Sequence, residues 1–512
     1  MSSQSTPSAT PAQQIAAGYA VQGRALELGT VVVDGTADPA AQIRIPLATI
    51  NRHGLVAGAT GTGKTKTLQL IAEQLSAAGV PVLMADVKGD LSGLSQPGES
   101  SDKITARAKE TGETWEASAF PVDFLSLGTK GIGVPVRATI ASFGPILLSK
   151  VLGLNATQES TLGLIFHWAE DQKYELLNLA DLREVISYLT SDQGKAELKS
   201  LGGVSAQTAG VILRALVNLQ AEGADTFFGE PELKPKDLLR FDDKGRGVIS
   251  LLELGDQAAR PVLFSTFLMW VLSDLFKSLP EIGDVDKPKL VFFFDEAHLL
   301  FTDASKAFLE QVEQTVKLIR SRGVGVFFCT QLPTDVPNEV LSQLGARVQH
   351  ALRAFTPDDQ KALTKTVRTY PKTDVYDLAS ALTSLGIGEA VVTVLSERGA
   401  PTPVAWTRLR SPRSLMAAIG NDAIGAAAKS SPLQATYGKT VDRESAYEKI
   451  QAKKAQATPA DQPAARSKSA PEPAKKPGWF KRFLNSRGFQ TFLNALGREL
   501  VRSMLGSNKR RR

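Results

Sequence analysis

Cysteine is almost missing from this chain: there is one, Cys329, in 512 residues. No internal disulfide can form, and a single thiol suits a reducing cytosol. Residues 1–20 lack both a cationic start and an apolar core segment, so no signal peptide is expected there. Their Ser/Thr/Ala/Gln bias predicts disorder instead. No apolar run is long enough to span a bilayer; the longest, 261–273, stops at Asp274 and reads as a buried helix. No internal repeat is present. Charge of one sign is scarce only locally. Lys and Arg number 59 against 53 acids, for a net of +6, yet residues 466–512 hold thirteen Lys/Arg and two acids. That tail carries +11, which leaves −5 for everything before it. The apolar content of 43% is ordinary for a packed protein. The length allows two or three domains, or one large domain with an insertion and tails.

What is present begins with Gly58-Ala59-Thr60-Gly61-Thr62-Gly63-Lys64-Thr65, which reads G-x-x-x-x-G-K-T. An apolar run, His53 to Ala57, precedes it; Leu68, Ile71, Ala72 and Leu75 follow at helical spacing. Strand, glycine loop and helix in that order are the context of a phosphate-binding loop. Glycines let successive N–H groups turn inward on phosphates, and the helix N-terminus adds partial positive charge. Lys64 can reach the β- and γ-phosphates and the Thr65 hydroxyl can hold Mg2+; Lys66 completes the expected binding set. A nucleoside triphosphate is the expected ligand.

Lys289 to Glu296 is an apolar strand ending in two acids, the Walker B pattern. Asp295 can meet the Mg2+ held by Thr65, and Glu296 can orient or deprotonate the attacking water. The competing reading is a strand that ends in solvated acids. Asp295-Glu296-Ala297-His298 also spells a motif of a helicase superfamily, but that superfamily's other motifs are missing, so His298 reads as a structural histidine. Asp86-x-x-Gly89 fits a GTPase switch motif, yet no Asn-Lys-x-Asp follows, so ATP is expected rather than GTP. A further strand ends at Thr330-Gln331-Leu332-Pro333. Gln331 there can sense the γ-phosphate and hold the lytic water, or be a plain loop residue. Cys329 beside it reads as a small buried hydrophobe. Arg320 and Arg322 end a predicted helix, 305–322. They either complement its dipole or serve as an arginine finger, in cis or toward a neighbouring subunit.

Strands alternating with helices predict an α/β fold with a mainly parallel, doubly wound sheet. Residues 21–50 suggest a short β element. The first part of the nucleotide-binding core spans 51–134, with residues 95–116 read as a loop. A helical insertion occupies 135–245, and the second core part 246–412 carries Walker B, the sensor strand and a last strand pair. A helical and disordered linker, 413–477, leads to a basic amphipathic tail, 478–512.

With these residues assembled, the chain resembles the HerA-like branch of the HerA/FtsK superfamily of ring-forming, DNA-pumping ATPases. The loop Gly58–Thr65, the long gap to Asp295-Glu296, and Gly323 to Pro333 carry the resemblance. Asp86 to Asp90, Gly133 to Arg137, Leu152 to Gln158, Phe227 to Pro231 and Gly345 to Pro357 look typical of its bacterial YjgR-type subgroup. The resemblance implies a RecA-like core, ATP hydrolysis with Mg2+, a homo-oligomer that is a hexamer, and DNA as substrate. It also implies an N-terminal β-barrel, for which the short β element leaves room only in truncated form. A nucleotide-gated binding module that translocates nothing is the alternative, and the net −5 of the body favours it.

In the tail, Phe489, Leu493, Leu496, Leu500 and Met504 fall on one helical face, with Arg487, Arg498 and Arg502 elsewhere. Docking on a protein partner or the ATPase body, lying on an anionic membrane surface, and binding nucleic acid all remain open. The expected location is cytoplasmic, with the membrane's inner face as the peripheral option.

Overall fold

A computed structural model describes residues 9–456, except 87–88, 199–201, 255–260 and 284. The chain opens with helix α1 (Pro11–Ala17) and the hairpin β1 (Ala25–Val33) and β2 (Thr36–Pro46). Strand β3 (Gly54–Ala57) leads through the glycine loop into α2 (Lys64–Ala77) and β4 (Val82–Asp86). Helix α3 (Asp102–Thr111) precedes β5 (Val122–Leu127) and β6 (Val134–Val136). Then come α4 (Ile140–Val151), α5 (Ala156–Asp171), α6 (Leu179–Thr190), α7 (Lys195–Leu198) and α8 (Ala206–Ala221). The sheet resumes with β7 (Ile249–Glu253), α9 (Pro261–Ser278), β8 (Leu290–Phe294), α10 (His298–Phe301), α11 (Lys306–Ile319) and β9 (Val324–Thr330). After α12 (Asn338–Leu341) come β10 (Ala346–Gln349), α13 (Pro357–Val367), α14 (Leu378–Ser384), β11 (Glu389–Val394) and β12 (Ala405–Leu409). Helices α15 (Asn421–Ser430), α16 (Pro432–Tyr437) and α17 (Ala446–Gln456) complete the described part.

All twelve strands form one sheet, in the order β2-β1-β12-β11-β10-β3-β9-β8-β4-β7-β5-β6. From β10 to β6 every pairing is parallel, while β11, β12, β1 and β2 pair antiparallel at one edge. The central parallel strands β3, β4 and β8 are apolar at nearly every position because both faces are covered. In β8, Leu290, Phe292 and Phe294 enter one core layer, and Val291 and Phe293 the other. Each of these fully buried phenylalanines contributes about 1.5–3 kcal/mol of burial. Strand β3 lies between β10 and β9, both from much later in the chain, although its own crossover α2 leads to β4. That reversal opens a crevice at the carboxyl ends of the strands, where open α/β sheets bind ligands. The α/β expectation with a mainly parallel sheet holds.

Several local expectations do not. Disorder over residues 1–20 fails from Thr10 onward. Thr10 caps α1 in a capping box with Gln13, and Ala12, Ile15 and Tyr19 are buried. The segment read as a loop at 95–116 contains α3, capped by Ser101, closed by the left-handed Gly112 and buried through Ile104 and Ala108. At 21–50 stands the hairpin of β1 and β2, which joins the main sheet through β12, with Gly29 opposite Leu409.

Within the described residues the linker forms α15, α16 and α17. Its widely spaced apolar residues, Ile424, Ala428, Leu433, Tyr437, Ala446 and Ile450, are all buried. Polar anchors complete the attachment. Tyr437 donates to Asp237 (2.6 Å), Arg137 donates to the Tyr437 carbonyl (2.9 Å), and Arg443 pairs with Glu230 (2.7 Å) and Glu175 (2.6 Å). Helices α4, α5, α6 and α8 share one core with α9 and α11, so the helical insertion has no core of its own. Residues 457–512, including the basic tail, lie outside the described residues, as do residues 1–8. No helix among the described residues is long and apolar enough to cross a membrane.

Candidate active site

The glycine loop leaves the end of β3 in a conformation that side chains resist. Gly58, Gly61 and Gly63 have φ of 151°, 83° and 110°. A Cβ on Gly58 would fall 2.5 Å from that of His350, so even a methyl group is excluded. These backbones form the concave loop whose N–H groups suit phosphate oxygens. Lys64 opens α2, and its Nζ donates to the carbonyls of Gly58 (2.6 Å) and Ala59 (3.1 Å). Thr62 Oγ1 donates to Ala59 O at 2.8 Å. Lys66 turns away, toward Gln69 Oε1 (3.1 Å) and Asp90 O (3.4 Å), and burial lowers its pKa. The Lys66 ammonium, expected in the binding set, is thus committed outside the phosphate loop.

The loop is braced by neighbours distant in sequence. Gly58 N donates to Thr330 O (3.2 Å) and Ala59 N to Ala351 O (2.8 Å). Gly388 N donates to Thr62 O (3.3 Å), and Arg353 Nη2 to Thr60 O (3.2 Å). Beneath it His350 Nε2 bonds Thr67 Oγ1 at 2.9 Å. None of these partners is assigned to the site by sequence; the register of β10 beside β3 brings His350, Ala351 and Arg353 in.

Parallel pairing carries the acids to the same end of the sheet. Strand β8 delivers Asp295 and Glu296, and β9 delivers Thr330 and the exposed Gln331, next to Ala57 on β3. Asp295 Oδ1 accepts from Glu296 N at 3.0 Å. The buried Cys329 thiol, beside Asp295, is pushed well above its ordinary pKa by burial first and by that carboxylate next. Glu296 sits at φ 48°, a left-handed backbone that costs a non-glycine residue about 1–3 kcal/mol. Its buried Oε2 has no hydrogen-bond partner, and His298 Nδ1 stands 3.4 Å from it. His298, read from sequence as merely structural, thus adjoins the candidate base.

The arginines are elsewhere. Arg320 and Arg322 precede the first residue of β9, whereas the phosphate loop adjoins its last. A seven-residue strand separates the two places, roughly 20 Å at about 3.3 Å per residue. Arg322 donates to Leu279 O (2.5 Å), lies over the Phe276 ring (5.3 Å) and pairs with Glu281 (3.5 Å). Arg320 is exposed at the same end of β9. An arginine finger in cis does not fit this geometry.

Mg2+ and ATP fit the residues present. The cradle admits no Cβ at Gly58, Thr65 is half-buried at the second position of α2, and Glu296 holds an orphaned carboxylate oxygen. Thr65 and Asp295 are the side chains that would hold the metal, which supplies charge neutralisation between phosphates.

The model of the family described as Helicase HerA-like C-terminal matches residues 32–512. The chain belongs to this family. A curated relative, the DNA double-strand break repair helicase HerA of Saccharolobus solfataricus, is 22% identical over 356 residues. That alignment covers 69% of the HerA-like chain and 63% of the relative's length, just short of two thirds. Among solved structures, the unbound bacterial conjugative coupling protein TrwBdeltaN70 aligns with a TM-score of 0.51 at 16% identity, over 79% of this chain and 94% of that solved chain. TrwB in complex with ADP and Mg2+ aligns with a TM-score of 0.51 at 15% identity, over 78% and 94%. At such identities these likenesses speak to fold, and the fold is that of P-loop ATPases. Placement within the YjgR-type subgroup rests on the sequence motifs alone.

Proposed function

We propose that this HerA-like chain hydrolyses ATP with Mg2+ and couples the cycle to movement along DNA in a ring of identical subunits. The observation that carries the hydrolytic part is the Glu296 carboxylate, whose Oε2 accepts no hydrogen bond and has only His298 Nδ1 nearby, at 3.4 Å. A carboxylate oxygen buried without a hydrogen-bond partner, on a left-handed residue, is costly to fold, and it stands one residue beyond the acid suited to the metal. Glu296 takes the proton of the attacking water. Lys64 and the N–H groups of Gly61 to Thr65 hold the phosphates; Gln331 orients the water. TrwB, of like fold, is known in complex with ADP and Mg2+, which supports a nucleotide with the same metal here. The DNA draws support from the relative described as a DNA repair helicase, and the ring rests on the sequence resemblance to HerA-like ATPases. Arg320, set at the amino end of β9 away from its own loop, then acts on the site of a neighbouring subunit.

The net −5 of residues 1–465 favours a second reading, a nucleotide-gated module that binds a protein partner or membrane surface through its basic tail. Turnover measured with and without duplex DNA separates the two. DNA-stimulated hydrolysis supports translocation; hydrolysis indifferent to DNA at low salt supports the module.

A further inference from the structure

Among the described residues, the two most exposed large apolar side chains are Phe355, at 85%, and Ile387, at 76%. Both stand on segments hydrogen-bonded to the phosphate loop. Arg353, which holds Thr60 O, is two residues from Phe355, at most about 7 Å of chain. Ile387 directly precedes Gly388, whose N–H donates to Thr62 O. A Cβ on Gly63 would lie only 3.3 Å from that same nitrogen.

Neither side chain is exposed through looseness of its backbone. Phe355 N and Thr356 N donate to Asp359 Oδ2 (3.1 and 2.9 Å), and Gln360 Nε2 to Ala354 O (3.0 Å). Arg107 clamps the other segment, donating to Ile387 O (3.3 Å) and Gly388 O (2.9 Å). The sheet order supplies a direction. Asp295, Glu296 and Gln331 lie on the β9 and β8 side of β3, so the terminal phosphate points that way. The nucleoside end of a bound nucleotide then leaves over β10 and β11, the strands that the segments of Phe355 and Ile387 follow and precede.

We infer that Phe355 and Ile387 receive the purine base of the nucleotide, Phe355 by stacking on its face and Ile387 by apolar packing. The inference rests on the nucleotide-binding reading above and adds the residues that recognise the base. Base–aromatic stacking is sequence-tolerant, so the pair supplies affinity for a planar base more than a choice among bases.

Calorimetry on the full chain with Mg2+ tests this, using a non-hydrolysable ATP analogue and, separately, inorganic tripolyphosphate. Phe355→Ala and Ile387→Ser should each weaken the analogue, Phe355→Ala by on the order of 10-fold to 100-fold. Tripolyphosphate binding should not change, and Phe355→Trp should restore the analogue. Equal losses for both ligands, or none, would overturn the inference. So would an altered oligomeric state in light scattering with unchanged preference for the analogue, which makes these side chains subunit contacts. Wild-type protein that binds neither ligand overturns the nucleotide-binding reading itself, an outcome distinct from the others.

Discussion

His350 and Thr67 share a hydrogen bond of 2.9 Å between Nε2 and Oγ1, with both side chains buried beneath the phosphate loop. Burial and the nearby Lys64 ammonium hold His350 at about 4, from an ordinary 6.5. His53, buried between Val316 O (2.8 Å) and Val326 N (3.0 Å), is likewise lowered to about 4, chiefly by burial. Both are neutral in the fold and protonated in the unfolded chain between those values.

The sign of the resulting pH dependence is fixed by where the protons sit. Between about pH 4 and 6.5 the unfolded state binds more of them, so each histidine's contribution is whole above 6.5 and is lost as pH falls toward 4. One proton corresponds to about 1.4 kcal/mol per pH unit. His350→Gln should therefore flatten the urea stability profile by about that slope across this window. An unchanged slope in the variant means that the imidazole is already charged in the fold.

Glu253 acts in the opposite direction. It faces Asp86 across the β4–β7 pairing, and burial first, with the Asp86 charge second, raises it to about 8. Its Oε1 is buried without a hydrogen bond. Protonated in the fold but ionised when unfolded, its contribution is present below about 4.5 and lost as pH rises through 8. Glu253→Gln mimics the protonated form. It should melt with the wild type near pH 4.5 and above it at pH 8, a gap that thermal denaturation at the two values reads directly.

Glu296→Gln should retain binding of ATP with Mg2+ while turnover falls by about 10²- to 10⁴-fold, because shape is kept and the base is lost. Lys64→Ala should instead abolish binding while leaving the melting temperature within a few degrees, since the ammonium contacts only carbonyls of its own loop. Fluorescent-nucleotide binding beside steady-state turnover distinguishes these patterns. Normal hydrolysis by Glu296→Gln places the base elsewhere.

The elements that sequence makes visible are those whose cause is local. The glycine loop, the apolar runs of β8 and β9 and the two acids after β8 each state their chemistry within about ten neighbouring residues. Strand β10 escapes such reading because Ala346-Arg347-Val348-Gln349 is too short and too polar to form an apolar run; it is a strand through pairing with β3 and β11. Helices α1 and α3 do carry signals, a Thr10 and Gln13 capping box and the Ser101 and Gly112 ends, which the polar composition masks. The braces His350, Arg353 and Gly388 are about 280 to 330 positions from the residues they hold. No local pattern encodes such contacts.

The arginines provide the sharpest test of a ring. Arg322 is tied to Leu279, Glu281 and the Phe276 ring, so Arg322→Ala should destabilise the fold by about 1–3 kcal/mol through lost packing and an unmet carbonyl. Arg320→Ala, at an exposed position, should leave thermal stability nearly unchanged. If Arg320 reaches the γ-phosphate of a neighbour, its loss lowers kcat by orders of magnitude with little change in ATP affinity, because a finger acts on transition-state charge. Hydrolysis by the wild type should then rise more steeply than linearly with protein concentration near the assembly threshold. Mixing provides an independent measurement. Arg320→Ala mixed with Lys64→Ala protein should recover part of the activity that each lacks alone, since the intact site of one is completed by the arginine of the other. Full activity in Arg320→Ala and a strictly linear concentration dependence would together remove both the trans finger and the ring.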